Sequence, residues 1–366
     1  MGYRLSLAAE PFLANYWQRE HLFIPGGFAG FIPPGDADEL AGLAMEDGVD
    51  ARIVYADGAG WHQQRGPFTA QQFQREGAWS LLVQSVDHFW DEAAELRHGV
   101  PWLPIWRLDD VMMSYASDGG SAGPHYDNYD VFIIQGEGRR RWEIGQFCDA
   151  STALQEHSEL RLLANFESRA SYELGPGDVL YIPPGCAHNG VSLGESTSFS
   201  IGFRAPRVSD LLARWVDHRL EDLDGDWLLR DPAREPASSP GEITNRDLNR
   251  ARAQLRDALE SDDPRWFGEV LTQSGHHHDA TEPLPLPADG YLLRRSGSPV
   301  AWHLGDTLLV FASGESYRCP AELANLAQAI AADQPVDIRD AQSVHDQAAD
   351  LIAWLASVDA VEFHGL

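Results

Sequence analysis

The chain has 366 residues, 43% of them hydrophobic, enough for two or three domains with a substantial core and too apolar for a disordered protein. Its formal net charge of −29 repels nucleic acid and anionic membranes and attracts basic partners, although the same acidity can serve solubility alone. Every basic residue is arginine, which excludes lysine Schiff-base chemistry and a Walker A lysine; any anionic ligand held by a side-chain charge must be held by arginine.

No apolar run reaches the roughly 18 residues of a membrane helix, and "MGYRLSLAAEPFLANYW" lacks a signal-peptide apolar region, so a soluble, cytoplasmic protein is expected. Cys148, Cys186 and Cys319 are odd in number and widely spaced, which supports neither a zinc ribbon nor a disulfide framework. Residues 1–92 read as a mixed α/β lead-in packing on the core. In it "DADELAGLAMEDGVDARIVY" predicts a helix running into a strand, and "TAQQFQREGAWSLLVQSVDHFWDEAAEL" two helical stretches. Residues 93–206 change texture. "WRLDDVMMSYAS", "YDVFIIQG", "RRRWEIG", "SYELGPGDVLYIPPG" and "TSFSIGFRAP" are strand-length runs cut by glycine and proline, the pattern of a sandwich or barrel.

After Pro206 the period becomes helical. Val208, Leu211, Leu212 and Trp215 form one stripe, and Leu248, Ala251, Leu255 and Leu259 another, within a helical segment at 207–280. A proline-rich linker at 281–290 precedes a tail at 291–366 with two β-like runs and two helices, resembling a small winged-helix module. The tail holds four arginines and ten acidic residues, a net of −6, so it is expected to face protein rather than DNA.

The stretch "GPHYDNYDVFIIQG" places His125 and Asp127 two apart, on one face if extended. His188, in "GPGDVLYIPPGCAHNG", follows a strand and a Pro-Pro-Gly turn, 188 − 127 = 61 residues on, room for a barrel to return; it is expected to reach the site from a loop. Two histidines and one carboxylate form the facial triad of non-heme Fe(II) oxygenases. Oxygenases of this class usually need 2-oxoglutarate, whose far carboxylate requires a buried cation. In "RRRWEIG", alternation sets Arg140 in phase with Trp142 and Ile144, inward, and leaves Arg139 and Arg141 with Glu143 on the other face. A solvated basic cluster explains Arg139 and Arg141 but not Arg140.

The stretches "ELAGLAMEDGVD", "WSLLVQSVDH", "GPHYDNYDVFIIQGEGRRRW", "ELGPGDVLYIPPGCAH" and "SIGFRAP" resemble the bacterial JmjC-type ribosomal oxygenases of the cupin superfamily. The resemblance covers most of the chain and is weakest after 220 and in the tail. It implies an α+β chain: a double-stranded β-helix, then a helical dimerisation segment, then a winged-helix-like domain. It implies Fe(II) on His125, Asp127 and His188, 2-oxoglutarate on Arg140, and dioxygen as the oxidant. The expected reaction is C-3 hydroxylation of an arginine in a basic ribosomal protein, the sixteenth of the large subunit, by a homodimer that needs neither nucleic acid nor membrane. The family carries a serine nine residues before the first ligand; here that position is Ala116, with Ser114 and Ser117 nearby, and Ser114 is assigned as the second cosubstrate contact.

An arginine substrate needs an acidic pocket. The inward phase of position 116 carries Asp110, Met112 and Ser114 inward too, making Asp110 the candidate partner for the substrate guanidinium and Ser200, in "SFSIGF", a second candidate. A turn or cap role for Asp110 is the alternative. "HHHD" at 276–279 lies in the linker without supporting ligands; His62, His88, His98 and His157 lack a partner pattern; Cys186 reads as a small packing residue. The same triad would serve a JmjC oxygenase acting on histidine or demethylating lysine. A non-catalytic acidic module docking ribosomal proteins would need neither triad nor inward arginine.

Overall fold

The computed structural model describes residues 3–156, 160–232, 234–236, 239, 241–273, 286–287 and 289–365. His157, the "HHHD" motif and most of the 281–290 linker lie outside the described residues. The chain divides into two compact units, Met1–Ala205 and Pro206–Leu366.

The first unit contains α1 (Ala9–Asn15), β1 (Leu22–Ile24), α2 (Ala37–Leu43), β2 (Ala51–Asp57), β3 (Gly60–Arg65), β4 (Trp79–Val83), α3 (Asp91–Ala94), β5 (Leu108–Ala116), β6 (Asp130–Gln135), β7 (Arg140–Phe147), β8 (Ala170–Leu174), β9 (Val179–Ile182), β10 (Cys186–Ser192) and β11 (Ser196–Phe203). Asp36 and Glu39 close a capping box on α2, and the chain then enters β2, the helix-to-strand passage expected there. The two helical stretches expected over 69–96 are a correction. Trp79–Val83 is a strand, every residue of it buried, flanked only by short helical turns and the four-residue α3. A five-residue run buried on both faces, with Ser80 its one polar residue, shows too little period to separate helix from buried strand in sequence.

The strands pair antiparallel into a sheet of order β1-β9-β6-β11-β5-β4-β2-β3, with a smaller sheet of order β10-β7-β8. The lead-in thus supplies half of the large sheet. Alternation divides that sheet's two faces. Val111 and Met113, Phe132 and Ile134, Val179 and Tyr181, and Phe199, Ile201 and Phe203 face a core shared with Phe12, Leu40 and Leu96. The intervening residues face the smaller sheet, where Val131, Ile133, Leu180 and Ile182 pack with Trp142, Ile144 and Leu174. Two facing sheets with this strand exchange make the double-stranded β-helix.

The second unit contains α4 (Val208–Asp222), α5 (Asn245–Leu259), α6 (Arg265–Thr272), β12 (Tyr291–Arg294), β13 (Val300–Leu304), β14 (Leu308–Ala312), β15 (Glu315–Cys319), α7 (Ala324–Ala331), β16 (Val336–Asp337), α8 (Ile338–Val344), α9 (Ala348–Ser357) and β17 (Val361–His364). Its core gathers Leu308, Val310, Leu326, Ile330, Leu351 and Leu355. α6, drawn with the helical segment in the sequence reading, contacts β13, β14 and β15; Gly268 lies so close to Phe311 that an added Cβ would meet its ring at 2.4 Å.

Candidate metal centre and cosubstrate pocket

One face of the barrel interior breaks the apolar rule. Ser114, Ser198 and Ser200 sit among the inward residues of β5 and β11, and Arg140 opens β7 from the facing sheet. Buried polar groups must be satisfied or serve a ligand. They line a cavity of about 420 Å³ together with Asp110, Met112, Tyr129, Trp142 and Gly190, and with His125, Asp127 and His188.

His125 and His188 exchange backbone hydrogen bonds (His125 N to His188 O, 3.1 Å; His188 N to His125 O, 2.9 Å), which sets their rings side by side with centroids 4.4 Å apart. His188 is therefore the third residue of β10 rather than a loop residue, a correction to the sequence reading. The Pro183–Gly185 turn comes earlier, and Gly185 N donates to Asp127 O at 2.7 Å, holding the third residue alongside. Each histidine donates Nδ1–H to a backbone carbonyl: His125 to Gly123 O (2.7 Å) and His188 to Cys186 O (3.0 Å). That fixes the tautomer and leaves both Nε2 lone pairs bare. Those Nε2 atoms lie 3.9 and 3.6 Å from Asp127 Oδ2. Burial first, and then the neighbouring His125, hold the His188 imidazole at about 4, so it is neutral at pH 7. Ligand atoms from these three residues lie within 4.8 Å of one another, and no other such group occurs among the described residues. Two imidazoles with their Nε2 atoms turned to one carboxylate on one side, and a cavity on the other, fit a divalent cation with open positions. Ser121 braces the segment, donating to Asn189 Oδ1 (2.8 Å) and accepting from Gly123 N (2.9 Å). Gly190 leaves room for the Trp142 ring, which an added Cβ would meet at 2.8 Å.

Arg140 is 6% exposed, whereas Arg139 and Arg141 face solvent. Its guanidinium contacts only serine oxygens: Ser114 Oγ and Ser198 Oγ from Nη1 (both 2.9 Å), and Ser196 from Nε and Nη2. No carboxylate among the described residues pairs with it, and burial alone pulls its pKa down to about 10. A buried cation without an anion, at the wall of a cavity, fits an anionic ligand such as the far carboxylate of 2-oxoglutarate.

Asp110 also faces the cavity. Its Oδ2 accepts from Ser85 N (2.9 Å) and Ser85 Oγ (3.1 Å), and burial, with Asp109 and Asp87 nearby, pushes its pKa up to about 6. Ser200 pairs across β11 with Met112 and Ile133 and lines the same space. Ala116 stands opposite Ser196 in the β5–β11 register. Sequence reasoning passed over Ser196 and Ser198. Their signal was present in "STSFS", three serines at period two alternating with the buried Thr197 and Phe199, a row that no core requires.

The fold and this donor set define a JmjC-type oxygenase. A JmjC-domain family model matches residues 95–211, a ROXA-like winged-helix model 254–362, and an AraC-like ligand-binding model, overlapping both, 165–258. The ribosomal protein uL16 3-hydroxylase of Escherichia coli K12 is 37% identical over 331 residues, 87% of this chain and 88% of that protein. A probable ribosomal oxygenase of Haemophilus influenzae is 37% identical over 56% of this chain and 52% of its own length. The crystal structure of E. coli YcfD superposes with a TM-score of 0.85 at 34% identity over the whole of both chains. The structure of that ribosomal oxygenase with cobalt and 2-oxoglutarate superposes with a TM-score of 0.83, at 34% identity over 99% of this chain and 100% of that one. The chain belongs to the JmjC ribosomal oxygenase family, whose members use ferrous iron and 2-oxoglutarate.

Proposed function

We propose that this protein hydroxylates C-3 of an arginine in the large-subunit ribosomal protein uL16, with iron on His125, Asp127 and His188. 2-Oxoglutarate is received at Arg140 and Ser114, and the substrate guanidinium at Asp110 with Ser200 beside it. The observation that carries this reading is one cavity holding three separate demands: bare Nε2 donors beside a carboxylate, a buried cation without an anion, and a desolvated carboxylate. The bound iron supplies the redox chemistry: one oxygen atom of dioxygen enters the substrate C–H bond, and the other enters succinate as 2-oxoglutarate loses carbon dioxide. The chain's own residues do the positioning. The backbone-pinned imidazoles fix the donor directions, Arg140 orients the cosubstrate, and Asp110 holds the arginine so that one methylene faces the metal.

The −29 charge favours encounter with a basic ribosomal protein and disfavours direct nucleic-acid binding. A cytoplasmic location agrees with the absence, among the described residues, of any helix long and apolar enough to cross a membrane. A homodimer agrees with the exposed apolar side chains of the second unit's helical segment, among them Val208, Leu212, Leu220, Leu248 and Leu255.

The test is anaerobic iron binding together with 2-oxoglutarate consumption, with and without a uL16 peptide. The wild type should bind one iron and consume 2-oxoglutarate faster with the peptide. His125→Ala and His188→Ala should keep the fold and lose the metal; full turnover by either iron-loaded variant contradicts the ligand assignment.

A further inference from the structure

The cavity floor continues past β5 onto the lead-in strands. Register across the large sheet sets Arg52 of β2 opposite Leu82, Leu82 opposite Ser114, and Ser114 opposite Ser198, one row of side chains that lines the cavity. Neighbouring strands lie about 4.8 Å apart, so Arg52 stands about 10 Å along that row from Ser114. Its place there is costly. Directly opposite it on β3 is Arg65, and like charges facing each other across a ladder are destabilising. Arg65 has Asp50 at 3.8 Å. The half-buried Arg52 guanidinium makes no hydrogen bond or ion pair with any described residue, and its Nε is buried without a partner. Arg140, by contrast, has its serine oxygens, and Arg161 at the cavity edge is exposed. Burial first, then Asp127 and Asp110, raise the pKa of the Tyr129 hydroxyl, and Arg52 acts against them, so these groups share one neighbourhood. A guanidinium has five donors and no acceptor. One kept at such a cost, at the wall of an open cavity, marks a functional position.

We propose that Arg52 binds a main-chain carbonyl of the substrate chain next to the target arginine, and thereby fixes which residue of that chain stands at the metal. This rests on the reading of Asp110 as the guanidinium partner and adds a second anchor to it. A single anchor at the tip of a long side chain leaves the main chain free to turn and slide. Two anchors, one on the guanidinium and one on the backbone, hold the methylene between them in place. The choice of acceptor follows from charge. A basic substrate is poor in carboxylates, yet each of its residues carries a carbonyl oxygen with two lone pairs. The −29 field draws such a chain in. Arg52 then opposes a second basic side chain at the same spot and leaves the main chain as the group received.

The experiment measures binding to the full chain loaded with Mn(II) and 2-oxoglutarate, without dioxygen. The two ligands are a uL16 peptide that contains the target arginine, and agmatine, which has the guanidinium and the methylene chain but no carbonyl. Arg52→Ala should weaken the peptide by about tenfold or more, the size of a lost charge-assisted hydrogen bond, and leave agmatine within about twofold. Arg52→Lys, which keeps a cationic donor, should recover part of the loss. Asp110→Asn should weaken both ligands; if it leaves agmatine unchanged, the guanidinium reading fails whatever Arg52 does. Equal loss of peptide and agmatine in Arg52→Ala means that Arg52 only shapes the guanidinium pocket, and an unchanged peptide affinity means that it meets no substrate; either result overturns the proposal. A loss confined to peptides with an acidic residue beside the target means that Arg52 reads a side-chain carboxylate, and overturns it as well. Removing one of two opposed arginines should leave the thermal midpoint at or above that of wild type. If the alanine variant does not fold, Arg52→Gln, which keeps most of the length and gives up the charge, takes its place, with the same selective loss of the peptide expected.

Discussion

Asp110 carries two opposing demands. As a desolvated carboxylate with its pKa pushed up to about 6, it favours the protonated form in the fold, so its contribution to stability declines as pH rises from about 4 to 6 and is least favourable above that. As a partner for a guanidinium it must be ionised. Asp110→Asn should therefore raise the thermal midpoint at pH 7 and lose that advantage below pH 4. It should also lower kcat/KM for the peptide, because a desolvated pair that loses one partner costs about 2–5 kcal/mol, more than tenfold in rate. Wild-type kcat/KM should fall as pH drops through about 6, and the variant should lack that limb. An unchanged pH profile in Asp110→Asn would assign the limb to another group. At this scale the sequence was most legible where chemistry is rare: a histidine and an aspartate two apart, or an arginine in phase with Trp142. It was least legible for serine, a residue so common in turns that Ser196 and Ser198 stood out only once β5 and β11 were seen paired.

Strand phase is what turns the sequence into a site. β7 alternates Arg140, Trp142 and Ile144 inward with Arg141 outward. Arg140→Ala should raise the 2-oxoglutarate concentration needed for half-maximal turnover by well over tenfold, whereas Arg139→Ala and Arg141→Ala should leave it within about twofold. The measurement is cosubstrate saturation at fixed peptide, and a larger effect at Arg141 would mean a register one residue off. The strands of the barrel were readable because glycine and proline punctuate them and one face differs from the other. β4 was not, because Trp79–Val83 is short and buried on both faces, with Ser80 its one polar residue. The placement of His188 within β10 was hidden for another reason. A register shift lies between Cys186 and His188, and nothing local in "PPGCAH" announces where pairing resumes.

The whole molecule adds charge. At −29 its field should speed association with a basic protein at low salt, and that gain should fade as screening shortens to about 10 Å at 0.1 M. Peptide kcat/KM should therefore fall with ionic strength in wild type and Asp110→Asn alike, while the gap between them persists, since a buried pair is poorly screened. A deficit that disappeared with salt would reduce Asp110 to one more surface carboxylate. Composition made the acidity plain, but the second unit's role was not legible from it. The stripes of α4 and α5 state that apolar faces exist and not what covers them. The most direct test of the central claim is mass spectrometry of purified uL16 incubated with this protein, Fe(II), 2-oxoglutarate and dioxygen. The account predicts a gain of about 16 Da, one oxygen atom, on a single arginine, absent when His125→Ala replaces the wild type. An unshifted uL16 in a reaction where the wild type binds iron and 2-oxoglutarate, or a shift on a residue other than arginine, would contradict it.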